Sequence, residues 1–357
     1  APDAGSPCLT IYAPGELKAL DSLVAEGLKP SESDEYILGL SHRFGDGWSA
    51  GVDYVRRRLG ETLEDVAIDA AVIAYCEREG IEGCEGVFYG FHQYVLANPG
   101  SDITVRLDGD CDIDPRMCEV ATLSAADLGY PKAVRKYDAV QFTLDKAFNG
   151  FWSANFNYVY TKLRGNFEGG VKSDNNQTDT GLTQDFDQPG FLQGAYGDLA
   201  NGRKHAFKLY GRVRPISWLD VGINAVLESP RKFSCIGNHA TDVFAGAYGS
   251  ASYWCQQEQF ADNNAGEANG SYLVPRGTAF KSQWNRRIDL GLGFDLGALG
   301  EPLMGSQFRI DIFNLFNGNT ELSIRGTQNA TIEATATARG SKRGCGRGAR
   351  AGSPARS

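Results

Sequence analysis

Between Ala133 and Arg164 the chain reads AVRKYDAVQFTLDKAFNGFWSANFNYVYTKLR. Val140, Phe142 and Leu144 alternate with Gln141, Thr143 and Asp145. After Asn149-Gly150, Trp152, Ala154, Phe156, Tyr158 and Tyr160 alternate with Ser153, Asn155, Asn157 and Thr161. Strand side chains point to opposite sides with period two. The stretch therefore predicts a hairpin, turned at Asn-Gly, with one aromatic and apolar face and one face of amides, hydroxyls and carboxylates. Three further hairpins repeat this pattern. In the first, Tyr36, Leu38 and Leu40 lead to a turn at Gly45-Asp46-Gly47. Trp48, Ala50, Val52 and Tyr54 then continue the apolar face opposite Ser49, Gly51 and Asp53. In the next, His205, Phe207, Leu209 and Val213 oppose Lys208, Tyr210 and Arg212, with a turn expected at 214–217. Leu219, Val221, Ile223, Ala225 and Leu227 follow, alternating with Asp220, Gly222, Asn224 and Glu228. In the last, Ile288, Leu290, Leu292, Phe294 and Leu296 oppose Asp289, Gly291, Gly293 and Asp295. After 297–307, Phe308, Ile310 and Ile312 oppose Arg309 and Asp311.

Long excursions at 59–132, 165–202 and 230–285 separate these hairpins. Short turns on one rim and long loops on the other are the layout of an outer-membrane barrel, whose strands need about 9–11 residues to cross lipid. Trp48, Trp152 and Trp218 follow short turns and predict part of an aromatic girdle at the headgroups. Trp218 is one residue out of phase with its apolar face. A soluble antiparallel sandwich would place such tryptophans in its core. It does not require repeated loops of this length at one end. The fold class expected is therefore all-β: an antiparallel transmembrane β-barrel, here a partial barrel of about eight strands with long extracellular loops. In the first excursion, Leu63, Val66, Ile68, Val72 and Ile73 have partly helical spacing, with Thr62 a candidate cap. Residues 16–26 suit a short helix within an otherwise irregular segment 1–33.

Composition agrees. Hydrophobic residues make up 42% of the 357, yet no run approaches the roughly 18 apolar residues of a membrane helix. A net charge of −9 argues against nucleic acid as a partner. The chain opens on APDAGSPCLT, without a basic and apolar leader, so a leader has been removed or the chain is an internal piece. Six of the eight cysteines form close pairs in loop-like sequence, Cys76/Cys84, Cys111/Cys118 and Cys235/Cys255. This pattern predicts disulfides in an oxidising compartment. No CxxC occurs and the four histidines are scattered, so no metal site is expected. The run Asp108–Asp114 carries alternate carboxylates like a calcium loop, but Ile113 stands where the turn glycine belongs. A solvated acidic loop is the competing reading.

Several segments resemble TonB-dependent outer-membrane receptors, above all the Oar-like group. They are YVLANPGSD (94–102), the long stretch 121–169, GLTQDFDQPG (181–190), YGDLANGRKHAFKLYG (196–211) and FRIDIFNLFN (308–317). The likeness runs from about residue 34 to 325. It implies a C-terminal part of a barrel of about 22 strands, in the outer membrane of a Gram-negative bacterium. The barrel would import a large nutrient, without enzyme activity or cofactor. It implies outer-membrane lipid and barrel-assembly machinery as partners, and TonB only through a plug region that this stretch lacks. A self-contained small barrel of adhesive or structural role, or a soluble extracellular binding module, are the alternatives. The last residues depart from the family. From Arg339 to Arg356 there are six basic residues and no acids, so residues 1–338 sum to −9 − 6 = −15. The segment 326–357 reads as a disordered tail, either from a shifted reading frame or a genuine basic tail.

No catalytic constellation stands out: His42, His92, His205 and His239 fall in different elements. The candidates for ligand contact are the polar-face residues Asp53, Asp145, Asn155, Asn157, Lys208, Arg212, Asp220, Asn224, Asp289 and Asp295. Their ordinary role is to hydrogen-bond water or a plug. Tyr253 and Trp254 suit either stacking on a ligand or packing between loops. Arg203-Lys204 suits lipopolysaccharide phosphates or a solvated strand end.

Overall fold

The structure is a computed structural model that describes residues 19–177, 183–256, 266–324 and 326–327. Its frame is one antiparallel sheet whose long strands pair in chain order. These are β1 (Ser33–Phe44), β2 (Trp48–Leu59), β3 (Arg135–Lys146), β4 (Trp152–Gly165), β5 (His205–Ile216), β6 (Leu219–Glu228), β7 (Asn285–Asp295) and β8 (Gln307–Ile312). The two-residue strand Gly197–Asp198 adds to the end of β4. Among the described residues β1 and β8 each have a single neighbour, so the sheet is open.

The register explains why the sheet has two chemistries. Val52 pairs with Phe142, Leu144 with Phe156, Phe156 with Leu209, Ile223 with Leu290 and Leu292 with Ile310. These cross-strand rows are apolar on one face, and rows between them, such as Asp145–Asn155 and Asn224–Asp289, are polar on the other. Among the described residues, none covers the apolar face. Leu38 is 75% exposed, Leu209 36% and Ile310 39%. An uncovered apolar surface running across a whole sheet is not a feature of a water-soluble monomer. Among the described residues, no helix is long and apolar enough to cross a membrane.

The short connections share one rim. Asp46 (φ 56) and Gly47 (φ 74) adopt the left-handed conformation that the first turn requires. In the second, Asn149 Oδ1 accepts hydrogen bonds from the backbone N–H groups of Phe151 and Trp152, both at 3.1 Å. The third departs from expectation. β5 runs through Arg214 and Pro215 to Ile216 with an irregularity after Val213, and the turn is Ser217-Trp218. Proline cannot donate to the ladder, so it marks a bulge rather than the turn itself.

The long excursions are not loops in the ordinary sense. They fold into a cap with its own core, which includes Val66, Ile68, Val72, Phe88, Val95, Leu107, Leu123 and Phe186. Small antiparallel pairs, Glu64–Ala67 with Tyr94–Ala97 and Ile103–Arg106 with Val120–Leu123, frame a helix at Asp69–Glu79. The helix expected from Thr62 onward begins later, because 64–67 is strand and Ile68 is the first cap residue. Three disulfides close cap segments: Cys76–Cys84, Cys111–Cys118 and Cys235–Cys255. Chain-entropy bookkeeping assigns each about 2.5–3.3 kcal/mol for loops of these lengths. The early segment contributes a turn of helix at Leu20–Leu23 and a bridge from Val24 to Leu96. At the other end, Gly326 and Thr327 bind Ile236 within the cap, by a 2.8 Å hydrogen bond and a parallel bridge. The expected tail from 328 onward lies outside the described residues.

Candidate functional site: the hydrated face and its cap

The strand period puts every polar-face candidate on one side of the sheet. Cross-strand pairs tie them together: Asp145 faces Asn155, Asn157 faces Lys208 and Asn224 faces Asp289. Much of this chemistry is internally satisfied. Asn155 donates to Asp145. Arg212 grips Asp220 with two hydrogen bonds of 2.8 and 2.7 Å, and Arg214 grips the same carboxylate at 3.0 and 2.8 Å. Both guanidinium groups lie over the Phe148 ring, at 4.9 and 5.6 Å. Asp289 accepts from Asn224, Arg287 and the Asn314 backbone and is buried. Asp295 accepts from Gly297 N at 2.9 Å and so caps the turn after β7. Asp53 sits over Gly39, where a Cβ would collide with its Oδ1.

Two concavities open on this face. One, of about 840 Å³, lies at the short-turn rim and brings Asp145, Asn155 and Arg212 together with Tyr210. The other, of about 780 Å³, lies toward the cap and joins Asn157 and Lys208 with Arg57, Arg135 and Tyr137. Asp220, Asn224, Asp289 and Asp295 line neither of them. Arg57, Arg135 and Tyr137 are the residues that sequence reading missed. They lie on strand ends beyond the clear alternation, but counting the same period outward from Asp53 and Gln141 reaches them.

The rims differ in character. Trp48 and Trp152 meet edge to face at 5.6 Å, and Lys146 lies 5.8 Å from the Trp152 ring centre. Lys146 Nζ donates to the Asp46 carbonyl at 2.5 Å, which joins the first two turns. Trp218 lies in its turn and stacks on Phe294 at 6.3 Å, which accounts for its phase.

The cap is held by buried charge. Arg276 and Lys172 have no exposure, and neither have Glu168, Asp174 and Asp185 around them. Arg276 reaches Asp185 at 2.8 Å, Glu168 at 3.3 Å and Asp174 at 3.8 Å, and Lys172 reaches Asp185 at 2.8 Å. Burial opposes the Asp185 charge, but Arg276 and Lys172 outweigh it and hold that carboxyl below the usual range. At Asp174 burial prevails over Arg276 and the carboxyl is pushed up. Glu64 from the first excursion accepts from Thr183 N at 2.8 Å, and burial pushes its carboxyl up to about 9. These contacts unite all three excursions. Tyr253 is buried and donates to Asp185 at 3.1 Å, and Trp254 donates to Gln193 at 3.2 Å, so both pack within the cap. In the acidic loop, Asp114 pairs with Arg116 at 2.7 Å and caps the turn that follows. Among the described residues, no three His, Cys, Asp or Glu side chains are grouped to hold a metal.

No family model matches the chain. It is similar to the TonB-dependent transporter Oar of Myxococcus xanthus, 23% identical over 290 residues that cover 81% of this chain and 21% of that protein. The chain thus spans about a fifth of the length of the curated relative it matches. Solved structures similar to it include the siderophore receptor PiuA from Acinetobacter baumannii. There the TM-score is 0.41 and the identity 10%, over 83% of this chain and 26% of that one. Another is the ferric-catecholate import receptor Fiu from Escherichia coli K12, with TM-score 0.40 and 12% identity over 84% of this chain and 26% of that one. The sequence resemblance to Oar-like TonB-dependent transporters stands, and that relative is a transporter, not an enzyme.

Proposed function

We propose that this chain, related in sequence to a TonB-dependent transporter, forms part of the membrane-spanning wall of such a transporter. The wall would admit a large nutrient across the outer membrane of a Gram-negative bacterium. The observation that carries this reading is the uncovered apolar face, continuous from Leu38 on β1 to Ile310 on β8, back to back with a hydrated face. Lipid solvates the first face, and water and a plug solvate the second. From Trp152 to Tyr160 the apolar row covers about 26 Å of strand at about 3.3 Å per residue. That is of the order of the apolar band of about 25 Å in outer-membrane barrels.

Asp145, Asn155, Asn157, Lys208 and Arg212 line the passage, and Trp48, Trp152 and Trp218 mark its inner rim. Asp53, Asp220, Asn224, Asp289 and Asp295 hold the wall's hydrogen-bond network. TonB acts through a plug lodged against the hydrated face, and barrel-assembly machinery inserts the strands. The open edges of β1 and β8 count against a self-contained small barrel, because unpaired backbone in lipid is costly. The exposed apolar face counts against a soluble module.

The test uses the complete transporter of which this chain would form part, refolded into vesicles of brominated lipid. Tryptophan introduced by Leu209→Trp should add fluorescence that brominated acyl chains quench, and Lys208→Trp should add fluorescence that they do not. Equal quenching at both positions refutes the assignment of faces.

A further inference from the structure

We infer that the cap end of the hydrated face carries a trough built for a linear acidic oligosaccharide, a chain of sugars bearing uronate carboxylates. The inference rests on the transporter reading above and gives its cargo a chemical class. The trough is the concavity of about 780 Å³ toward the cap. Register sets its length. Tyr210 pairs with Asn155 and Lys208 with Asn157, whereas Tyr137 pairs with Leu163 and Arg135 with Gly165. From Asn155 to Gly165 is ten residues along β4, about 33 Å at about 3.3 Å per residue. The two ends lie too far apart for one compact ligand to touch both.

The charge along the trough is positive. Arg57, Arg135, Arg203 and Lys208 line it, and Glu228 is the carboxylate among its lining residues. Two of these cations are engaged. Arg57 holds Glu35 at 2.8 Å and lies 5.7 Å from the Tyr137 ring centre. Arg203 holds Glu228 at 3.3 Å and the Ser229 carbonyl at 2.6 Å. With Glu35 counted, four cations meet two carboxylates, a balance of 4 − 2 = +2. Among the described residues, no carboxylate pairs with Arg135 or Lys208, and the buried Nε of Arg135 has no hydrogen-bond partner. Asp53 and Asp145 stand on the same face, the first opposite Gln141 and the second bonded to Asn155, and neither lines the trough.

Polar groups fill the space between the two open cations. Asn157 stands beside Lys208, and Gln141 and Thr161 lie between that level and Arg135. Among the described residues, the side chains of Gln141, Asn157 and Tyr210 make no hydrogen bond to protein. A side-chain amide offers both donors and an acceptor, as a sugar hydroxyl requires. Tyr210, at 46% exposure, presents a ring with an apolar face and a polar tip at the far end of the trough.

These features select the occupant. A guanidinium fork holds the two oxygens of a carboxylate together, and Arg135 keeps its Nε free for such a grip. Lys208, eight residues of strand away, calls for a second anionic group on the same ligand. The amides between them and the exposed Tyr210 ring suit hydroxyls and the C–H faces of sugar rings. A compact chelate meets one end of the trough and leaves the other unused. A neutral sugar chain leaves both cations without counter-charge. An acidic peptide supplies the charges, but it has no ring face for Tyr210 and loses side-chain rotamer freedom on binding.

The test is titration calorimetry on the complete transporter of which this chain would form part, held in non-ionic detergent. The probes are a linear hexamer of galacturonic acid, maltohexaose, hexaglutamate and citrate. The hexauronate should bind about tenfold tighter than each of the other three, or more. Arg135→Gln and Lys208→Gln should each weaken it about tenfold, the loss of one charged hydrogen-bond partner. Lys162→Gln, on the opposite face of β4, should leave it unchanged. Maltohexaose or citrate bound as tightly as the hexauronate, or a Lys208→Gln variant that binds like wild type, overturns the trough. Hexaglutamate bound as tightly overturns the choice of sugar. An Arg135→Gln variant that does not fold is replaced by Arg135→Lys, which loses the fork and should weaken binding severalfold. Equal quenching of Leu209→Trp and Lys208→Trp by brominated lipid refutes the transporter reading itself. Faces assigned as above, with no preference for the hexauronate, refute the trough alone.

Discussion

Replacing Arg276 by Met tests how the cap is held together. The side chain is fully buried and faces three carboxylates, at 2.8, 3.3 and 3.8 Å. Methionine keeps most of the apolar stem and removes the charge. Lys172, at 2.8 Å from Asp185, is then the sole buried cation left in the cluster, facing Glu168, Asp174 and Asp185. Removing one partner of a buried ion pair costs about 3–5 kcal/mol, because the other charge stays buried without compensation. This loss falls on the local opening of the cap, since the sheet does not share the contacts. The assay is amide hydrogen exchange of the full chain in detergent, read peptide by peptide. Exchange in 166–177, 183–199 and 250–256 should speed up by about 150- to 5000-fold, which is that energy expressed as an opening constant. Exchange in β3 and β4 should stay within about threefold of wild type. Adding Asp185→Asn to the variant removes one stranded carboxylate and should restore more than about 1 kcal/mol, as coupled neighbours do. Acceleration below about fivefold, or spread equally into the strands, would refute the view that Arg276 clamps the cap.

Glu64 makes the cap pH-sensitive. Burial raises its carboxyl from 4.5 to about 9, so the folded cap retains a proton that the unfolded chain releases. This contribution is complete below pH 4.5 and is lost as pH rises toward 9, at roughly 1.4 kcal/mol per pH unit. Cap protection, corrected for intrinsic exchange, should therefore fall between pH 6 and 9, and Glu64→Gln should flatten that slope. A wild-type slope of zero would contradict the burial argument. On the lipid face, Leu209→Arg should lower the efficiency of folding into vesicles by about 2–4 kcal/mol, as for a cation near the bilayer middle. Lys208→Leu, one residue along, should change it by less than about 1 kcal/mol, and equal effects would sink the two-face reading. Cys235→Ser with Cys255→Ser should destabilise the cap by about 3 kcal/mol. The measurement is protease sensitivity of 230–285, and an unchanged cleavage rate would show that the disulfide carries no such weight.

Much of this was legible in the chain itself, for a physical reason. Strand alternation is local: each residue's face follows from its neighbours two positions away. That is why the two-faced hairpins, their order and the common side of Asp145, Asn155, Asn157, Lys208 and Arg212 can be read from the letters alone. The close cysteine pairs are local too, and the structure bonds the expected partners. Pro215 misled the placement of the third turn because a bulge and a turn share the same residue signals.

Tertiary structure alone decided the rest. Glu64 from the first excursion, Glu168, Lys172 and Asp185 from the second and Arg276 from the third are brought together only when the cap folds, so no spacing in the chain announces the group. It also decided which polar-face residues are spent on one another, as Arg212 and Arg214 are on Asp220, and which remain open to solvent, as Lys208 does. The row Arg58, Lys136 and Arg164 likewise exists only once register aligns three strands. A residue's face is a property of its own strand, but its partners are set by pairing between distant segments, and local pattern carries no information about that.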